Sequence, residues 1–353
     1  MPATMKAMRV HELGGPFKLE EVPVPAVGPN DALVKLKATG VGLTPVLMRR
    51  TPGTIDKFPR IMGHEIAAEV IETGSAVECV SVGDLVTAHF YLVCHSCDFC
   101  RSGRETLCEN FKGYLGLVHD GGYAEYASIP ALNLCKIPEG ITPLDACVAA
   151  DGICTPYHNC TAEAQIKPGD KVAIIGAGGG VAIHAVQMAQ LCGGEVIGVD
   201  VSKQKLETVA KLGAIATIDA SDSDTVEEIT ALTKGRGVDA YIDYVGSKET
   251  LEAGMDTLGK GGKLVIVGSR APSAFGGVSP KFTVDPQRVL QMAQEIHGSR
   301  YCSMLELRRS LQLVKSGLIK PIVTKTFQLE DTETAFQEIQ DNKITGRAAV
   351  VFD

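Results

Sequence analysis

Lys171-Val-Ala-Ile-Ile-Gly176-Ala-Gly178-Gly179-Gly180-Val181-Ala-Ile-His184 begins as a continuous apolar run, breaks into glycines, and resumes as a helical pattern that reaches Leu191. A second apolar run, Val196 to Val199, follows and ends on Asp200. Strand, helix and strand in that order predict a parallel sheet. The alternation continues with strands over 214–218, 240–245 and 264–267 and helices near 225–232 and 249–258, which predicts a doubly wound α/β unit. Glycines where a buried strand turns into a helix leave the backbone bare. A pyrophosphate can then approach the helix N-terminus, whose free N–H groups and positive dipole end hold it. Gly176 and Gly178 match the first two glycines of G-x-G-x-x-G, but the third position is Val181, and a shifted register pairs Gly179 with Ala182. The register is therefore open. Asp200 stands where a carboxylate accepts from both ribose hydroxyls and repels a 2′-phosphate, which favours NAD(H) over NADP(H). Lys203 and Lys205 leave room for some phosphate tolerance.

Upstream of this unit the pattern is short and β-rich, with alternating runs such as Ala32-Leu-Val-Lys-Leu-Lys37 broken by Gly and Pro. Ser303 with Glu306 forms a capping box for a helix to about Val314, and Gly317 and Pro321 stop it. The tail returns to β-like runs at 322–327 and 348–352. Two isolated strands could not form a core, so the tail is expected to rejoin the first domain. The expected division is 1–155 with 315–353, and 156–314 between them.

The chain has 353 residues, 45% of them hydrophobic and 22% charged, with a net charge of −8. No basic tract offers a nucleic-acid footprint. No run of about 18 uninterrupted apolar residues suggests a membrane helix. MPATMKAMRV lacks the apolar core of a secretory signal, so the cytoplasm is the expected compartment. In a reducing compartment eleven cysteines call for an explanation other than disulfides. Seven are scattered among apolar neighbours and read as small buried hydrophobes. The other four, Cys94, Cys97, Cys100 and Cys108, supply enough thiolates on one loop to close a tetrahedral zinc shell with no open position, which is a structural site. An iron–sulfur cluster is the rival reading, without other support in the sequence.

These features together resemble the zinc-containing medium-chain alcohol dehydrogenase family over essentially the whole chain. The residues that carry the resemblance are Gly63-His64-Glu65, the four-cysteine loop, Asp120-Gly-Gly-Tyr-Ala-Glu-Tyr126, the glycine turn with Asp200, and Gly346-Arg347. The resemblance implies a GroES-like β-barrel made from both ends of the chain, a Rossmann domain inserted between them, an active site in the cleft, and a homodimer or homotetramer. It implies hydride transfer between NAD(H) and a small-molecule alcohol or carbonyl. It also implies a pyrophosphate contact for Arg347 and cofactor-binding positions for Lys205, Val245, Thr155 and Val267-Gly268-Ser269.

At the chemistry the sequence departs from the family. The family's first catalytic-zinc ligand, a Cys, is here Gly42, and the acidic residue that orients the histidine ligand is Pro45. His64 and Glu65 remain, and Asp151 stands at the later ligand position. Two readings stay open: His64, Glu65 and Asp151 hold a second zinc, or the metal is absent and they are hydrogen-bonding groups. Thr44 keeps the family's proton-relay position, with a helix cap before Pro45 as its plainer role, while Leu47 stands where the relay often continues through histidine. The activity expected first is alcohol–carbonyl interconversion. Zinc-free reduction of an activated C=C or C=N bond is the alternative, and an inactive nucleotide-binding protein the third reading.

Overall fold

The computed structural model describes residues 2–268 and 281–353. Two compact units emerge, Met1–Cys154 with Cys302–Asp353, and Thr155–Tyr301. The tail thus rejoins the first unit, as the sequence suggests, but at Cys302 and not at 315. The helix Met304–Lys315 causes the difference. Its Leu307 and Leu311 are fully buried, its first backbone N–H donates to Glu105 at 2.5 Å, and the Cys302 carbonyl lies 2.9 Å from His89 Nε2. Its capping box, Ser303 with Glu306, forms as expected.

In the first unit a seven-stranded sheet is centred on Asp31–Val41, which pairs antiparallel with Glu65–Thr73, Tyr126–Pro130 and Arg347–Val351. Val323–Phe327 lies parallel on the far side of Arg347–Val351. Thr4–Val10, Phe17–Pro23 and Arg60–Ile61 form a smaller sheet, and the core beside it gathers Phe17, Tyr123, Phe336 and Val350. Register positions the site. Ala348 faces Val41 and Gly40 faces Glu65, so Arg347, Gly42, Gly40 and Glu65 fall close together on three adjacent strands.

In the second unit six parallel strands form one sheet: β1 (Lys171–Ile175), β2 (Glu195–Asp200), β3 (Ala216–Asp219), β4 (Val238–Asp243), β5 (Leu258–Ile266) and β6 (Glu295–Gly298). Their order is β3-β2-β1-β4-β5-β6, the doubly wound order. Near-continuous runs such as Val172 to Ile175 are buried because helices cover both faces of such a sheet. The first five strands match the periodicity of the sequence. The sixth does not, because Glu295, Ile296 and Gly298 are exposed and carry no apolar run. Among the described residues no helix is long and apolar enough to cross a membrane.

Candidate functional site

The second unit gathers its expected cofactor residues at the carboxyl ends of parallel strands, where the strand order reverses between β1 and β4. That is where an open α/β sheet binds ligands. Gly176 ends β1 with φ +73°, a conformation that an L side chain rarely adopts, and its N–H donates to the Val199 carbonyl at 2.8 Å. This fixes the register: Gly176 makes the sharp turn, Gly178 follows it, and Val181 caps a helix running Ala182–Leu191. Gly178 is bare because Lys205 lies over it, so that a β-carbon there would come within 2.4 Å of Lys205 Cβ. Gly179 donates to the Gly176 carbonyl and accepts from Ile183, joining turn to helix.

Asp200 closes the turn from β2. Its carboxylate accepts from Gly178 N–H at 2.9 Å and Ser202 N–H at 3.1 Å. A carboxylate has about four acceptor positions, so these bonds orient Asp200 and leave capacity for ribose hydroxyls. Lys205 is buried, which lowers its pKa against the pull of Asp200, and its stem serves as a wall of the turn. Val245 packs by its Cγ2 near Gly176, and Gly268 lies so close to the Tyr244 backbone that a β-carbon would meet it at 2.3 Å. Thr155 is buried, and Ser269 lies outside the described residues. Asp243, which sequence reasoning passed over, shapes this rim. Fully buried at the end of β4, it accepts from Val245 N–H, Gly246 N–H and the Thr250 hydroxyl.

In the first unit the four cysteines converge. Their sulfurs all lie within 4.8 Å of one another, with Cys94 and Cys100 3.9 Å apart and Cys97 and Cys108 4.0 Å apart. With Zn–S bonds of about 2.3 Å, the edge of a tetrahedral shell is about 3.8 Å. The Ser96 hydroxyl and neighbouring N–H donors hold Cys94 down to about 5, while burial and the crowding of the other thiols push Cys100 up to about 12. Four thiolates this close need a cation, and the donor set fits structural zinc. Four sulfurs fill a tetrahedral shell and leave no position for substrate.

His64, Glu65 and Asp151 also come together, with ligand atoms within 4.8 Å of one another. Gly63, at φ +97°, reverses the chain before His64, and the Asp120-Gly-Gly-Tyr123 segment braces it. Gly122 N–H donates to the Gly63 carbonyl and Tyr123 N–H to that of Met62. Asp151 sits in a π-helical turn, Ala149–Ile153, a widened turn frequent at functional sites. His64 Nε2 stands 3.7 Å from Glu65 Oε1 and 3.6 Å from Asp151 Oδ2, too far for hydrogen bonds, and has no partner.

Arg347 occupies this centre. Its Nη2 donates to Glu65 Oε1 at 2.6 Å and to Asp151 Oδ2 at 2.9 Å, and the side chain is 3% exposed. The residue expected at a pyrophosphate thus lies, by one guanidinium nitrogen, against two carboxylates inside the first unit. Burial opposes its charge, yet Glu65 and Asp151 outweigh burial and raise its pKa further. Burial in turn lifts Glu65 to about 7 despite the guanidinium.

The spacing of His64, Glu65 and Asp151 by itself suits a metal, but Arg347 cancels one of the two carboxylate charges that would hold it. At an effective dielectric of 20, two unit charges about 4 Å apart interact by about 4 kcal/mol, and a divalent ion beside a guanidinium by about twice that. Gly42 and Pro45 bring no compensating anion. With Arg347 in this place, the residues do not fit a resident catalytic metal.

Thr44 is exposed as the second residue of a short helix, Leu43–Met48, whose N-cap is Gly42. The capping role is corrected, and the hydroxyl stays free for proton transfer. His89 is buried with Nε2 against the Cys302 carbonyl, and His158 pairs with Glu163, so both have structural partners.

Two family models match the chain: the alcohol dehydrogenase GroES-like domain over residues 28–139 and the zinc-binding dehydrogenase domain over 180–316. An NAD-dependent alcohol dehydrogenase of Sulfurisphaera tokodaii is 34% identical, covering 98% of this chain and 100% of its own. An acryloyl-coenzyme A reductase of the same organism is 28% identical over 98% of this chain and 99% of its own. The solved structure of a cobalt- and zinc-bound thermostable alcohol dehydrogenase from Pyrobaculum aerophilum superposes with a TM-score of 0.87 at 29% identity, covering 99% and 100% of the two chains. With a GroES-like domain made from both ends of the chain, an inserted doubly wound domain and relatives matched end to end, this chain belongs to the zinc-containing medium-chain alcohol dehydrogenase family.

Proposed function

We propose that the chain is an NAD(H)-dependent oxidoreductase that interconverts an alcohol and a carbonyl by hydride transfer. The observation that carries this reading is Asp200 bonded to Gly178 at the end of β2, beside the left-handed turn of Gly176. That arrangement offers N–H groups to a pyrophosphate and a carboxylate to a ribose without a 2′-phosphate. NAD(H) is therefore preferred over NADP(H). NADH held by the Gly176–Gly178 turn and Asp200 would supply a hydride to the acceptor carbon, and the acceptor oxygen, receiving the electron pair of the π bond, would take a proton. The exposed Thr44 hydroxyl supplies the proton and recovers it from solvent. The four-cysteine loop holds one structural zinc, which fixes the loop and takes no part in the chemistry. The protein works in the cytoplasm as a homodimer or homotetramer on a small-molecule substrate.

One observation favours a second reading. With Arg347 across Glu65 and Asp151, the centre supplies less charge stabilisation to an alkoxide than the family's metal does. Reduction of a C=C bond conjugated to a carbonyl needs less, and a full-length relative is named for such a reaction. The test is NADH oxidation by the pure protein with simple aldehydes and ketones in one set and conjugated enones and enoyl thioesters in another. Turnover in the first set supports the alcohol–carbonyl reading, and turnover confined to the second replaces it. No NADH turnover with either would sink both in favour of a nucleotide-binding protein without catalysis.

A further inference from the structure

We infer that Arg347 is the resident cation of the His64–Glu65–Asp151 centre, admitted by Gly42, and that it keeps a catalytic metal out. This goes beyond the proposed reaction and holds for either acceptor.

The φ of −126° and ψ of 175° at Gly42 are extended backbone that any residue adopts, so the chain path does not require glycine. The pose of Arg347 requires it. A β-carbon there would lie 2.2 Å from Arg347 Nη1 and 3.1 Å from its Cζ. Two residues earlier, on the same face of the strand, a β-carbon at Gly40 would meet Glu65 Oε2 at 2.4 Å. Gly40 and Gly42 thus clear a lane across the central strand, with Glu65 entering from one neighbouring strand and Arg347 from the other. A cysteine at position 42 and the guanidinium in this pose exclude one another.

Glu65 Oε1 and Asp151 Oδ2 stand 3.7 and 3.6 Å from His64 Nε2, and both already accept from one nitrogen of Arg347. A divalent ion taking the same oxygens would face a positive nitrogen held by those oxygens, without the thiolate that position 42 would otherwise supply. The guanidinium keeps the two carboxylates fixed and partly neutralised, while His64 Nε2, Glu65 Oε2 and Arg347 Nε are left without hydrogen-bond partners. Arg347 is a positioning residue: it sets the carboxylates and, through them, the surroundings of His64.

The experiment counts zinc per chain, with X-ray absorption to identify the ligands, in the wild type and in R347Q, R347K and G42A after equilibration with excess zinc and removal of the unbound ion. Wild type and R347K, which keeps a cation, are expected to hold one zinc in a sulfur-only shell. R347Q is expected to gain a second, bound by nitrogen and oxygen. Should R347Q fail to fold, G42A serves in its place, because its methyl group displaces the guanidinium and is expected to raise zinc above one. A second, nitrogen- and oxygen-bound zinc in the wild type overturns the inference, as does a count of one in every folded variant. The readout is metal and not turnover, so its failure is separate from failure of the proposed reaction.

Discussion

The four-cysteine loop and the His64–Glu65–Asp151 centre both bring metal-ligating side chains within 4.8 Å of one another in the same unit, yet only one of them is short of a cation. In the loop the sulfurs sit at the spacing of a tetrahedral shell, with Cys94 held acidic by the Ser96 hydroxyl and nearby N–H donors and Cys100 pushed the other way by burial and the other thiols. In the other centre a guanidinium already lies against two of the three donors. Convergence of donor residues is therefore a weak sign of a metal until the charge around them is counted.

The strongest way to press the contrast is to remove one thiol from the loop and the guanidinium from the other centre. C108S is expected to lose the loop zinc and to cause the largest fall in thermal stability, since a structural zinc contributes folding free energy directly; unchanged zinc and melting temperature would end the structural role. R347Q leaves Glu65 and Asp151 facing each other in a buried site. Breaking a buried ion pair costs about 3–5 kcal/mol, so denaturant unfolding of R347Q is expected to show a loss of that order, and a loss below about 1 kcal/mol would mean that Arg347 does not organise the centre.

Smaller effects sharpen the division of labour between the two units. Charge-assisted hydrogen bonds are worth about 1.5–3 kcal/mol, so D200N is expected to weaken NADH binding by about ten- to a hundredfold while NADPH changes far less. Titration of both nucleotides checks this, and an equal loss for the two would assign Asp200 only to holding Gly178. T44V is expected to lower kcat by about tenfold, or 1.4 kcal/mol, because the residue is exposed and water takes over part of the proton transfer. Unchanged kcat would remove Thr44 from the relay.

The sequence made the second unit legible almost strand by strand, because buried parallel strands write themselves as continuous apolar runs and the helices between them keep their own period. The exposed strand Glu295–Gly298 had no such signature. The cysteine loop was legible because its donors are close in the chain. Gly42 was legible as a missing ligand but not as a space, since its neighbour Arg347 is brought alongside only by the pairing of Ala348 with Val41 from the far end of the chain. The same long-range pairing places Arg347, expected at a phosphate, against two carboxylates. Asp243 was missed because two of its donors lie in the turn that follows it and the third, Thr250, in the first turn of the next helix, and an acidic residue ending a strand carries no mark of being fully enclosed.

The zinc-edge absorption spectrum of the wild-type protein, together with its zinc content, tests most directly whether Arg347 keeps a second metal out. One zinc per chain with a shell of sulfur alone at about 2.3 Å is expected. A content of two, with a nitrogen and oxygen shell at about 2.0–2.2 Å, would contradict it.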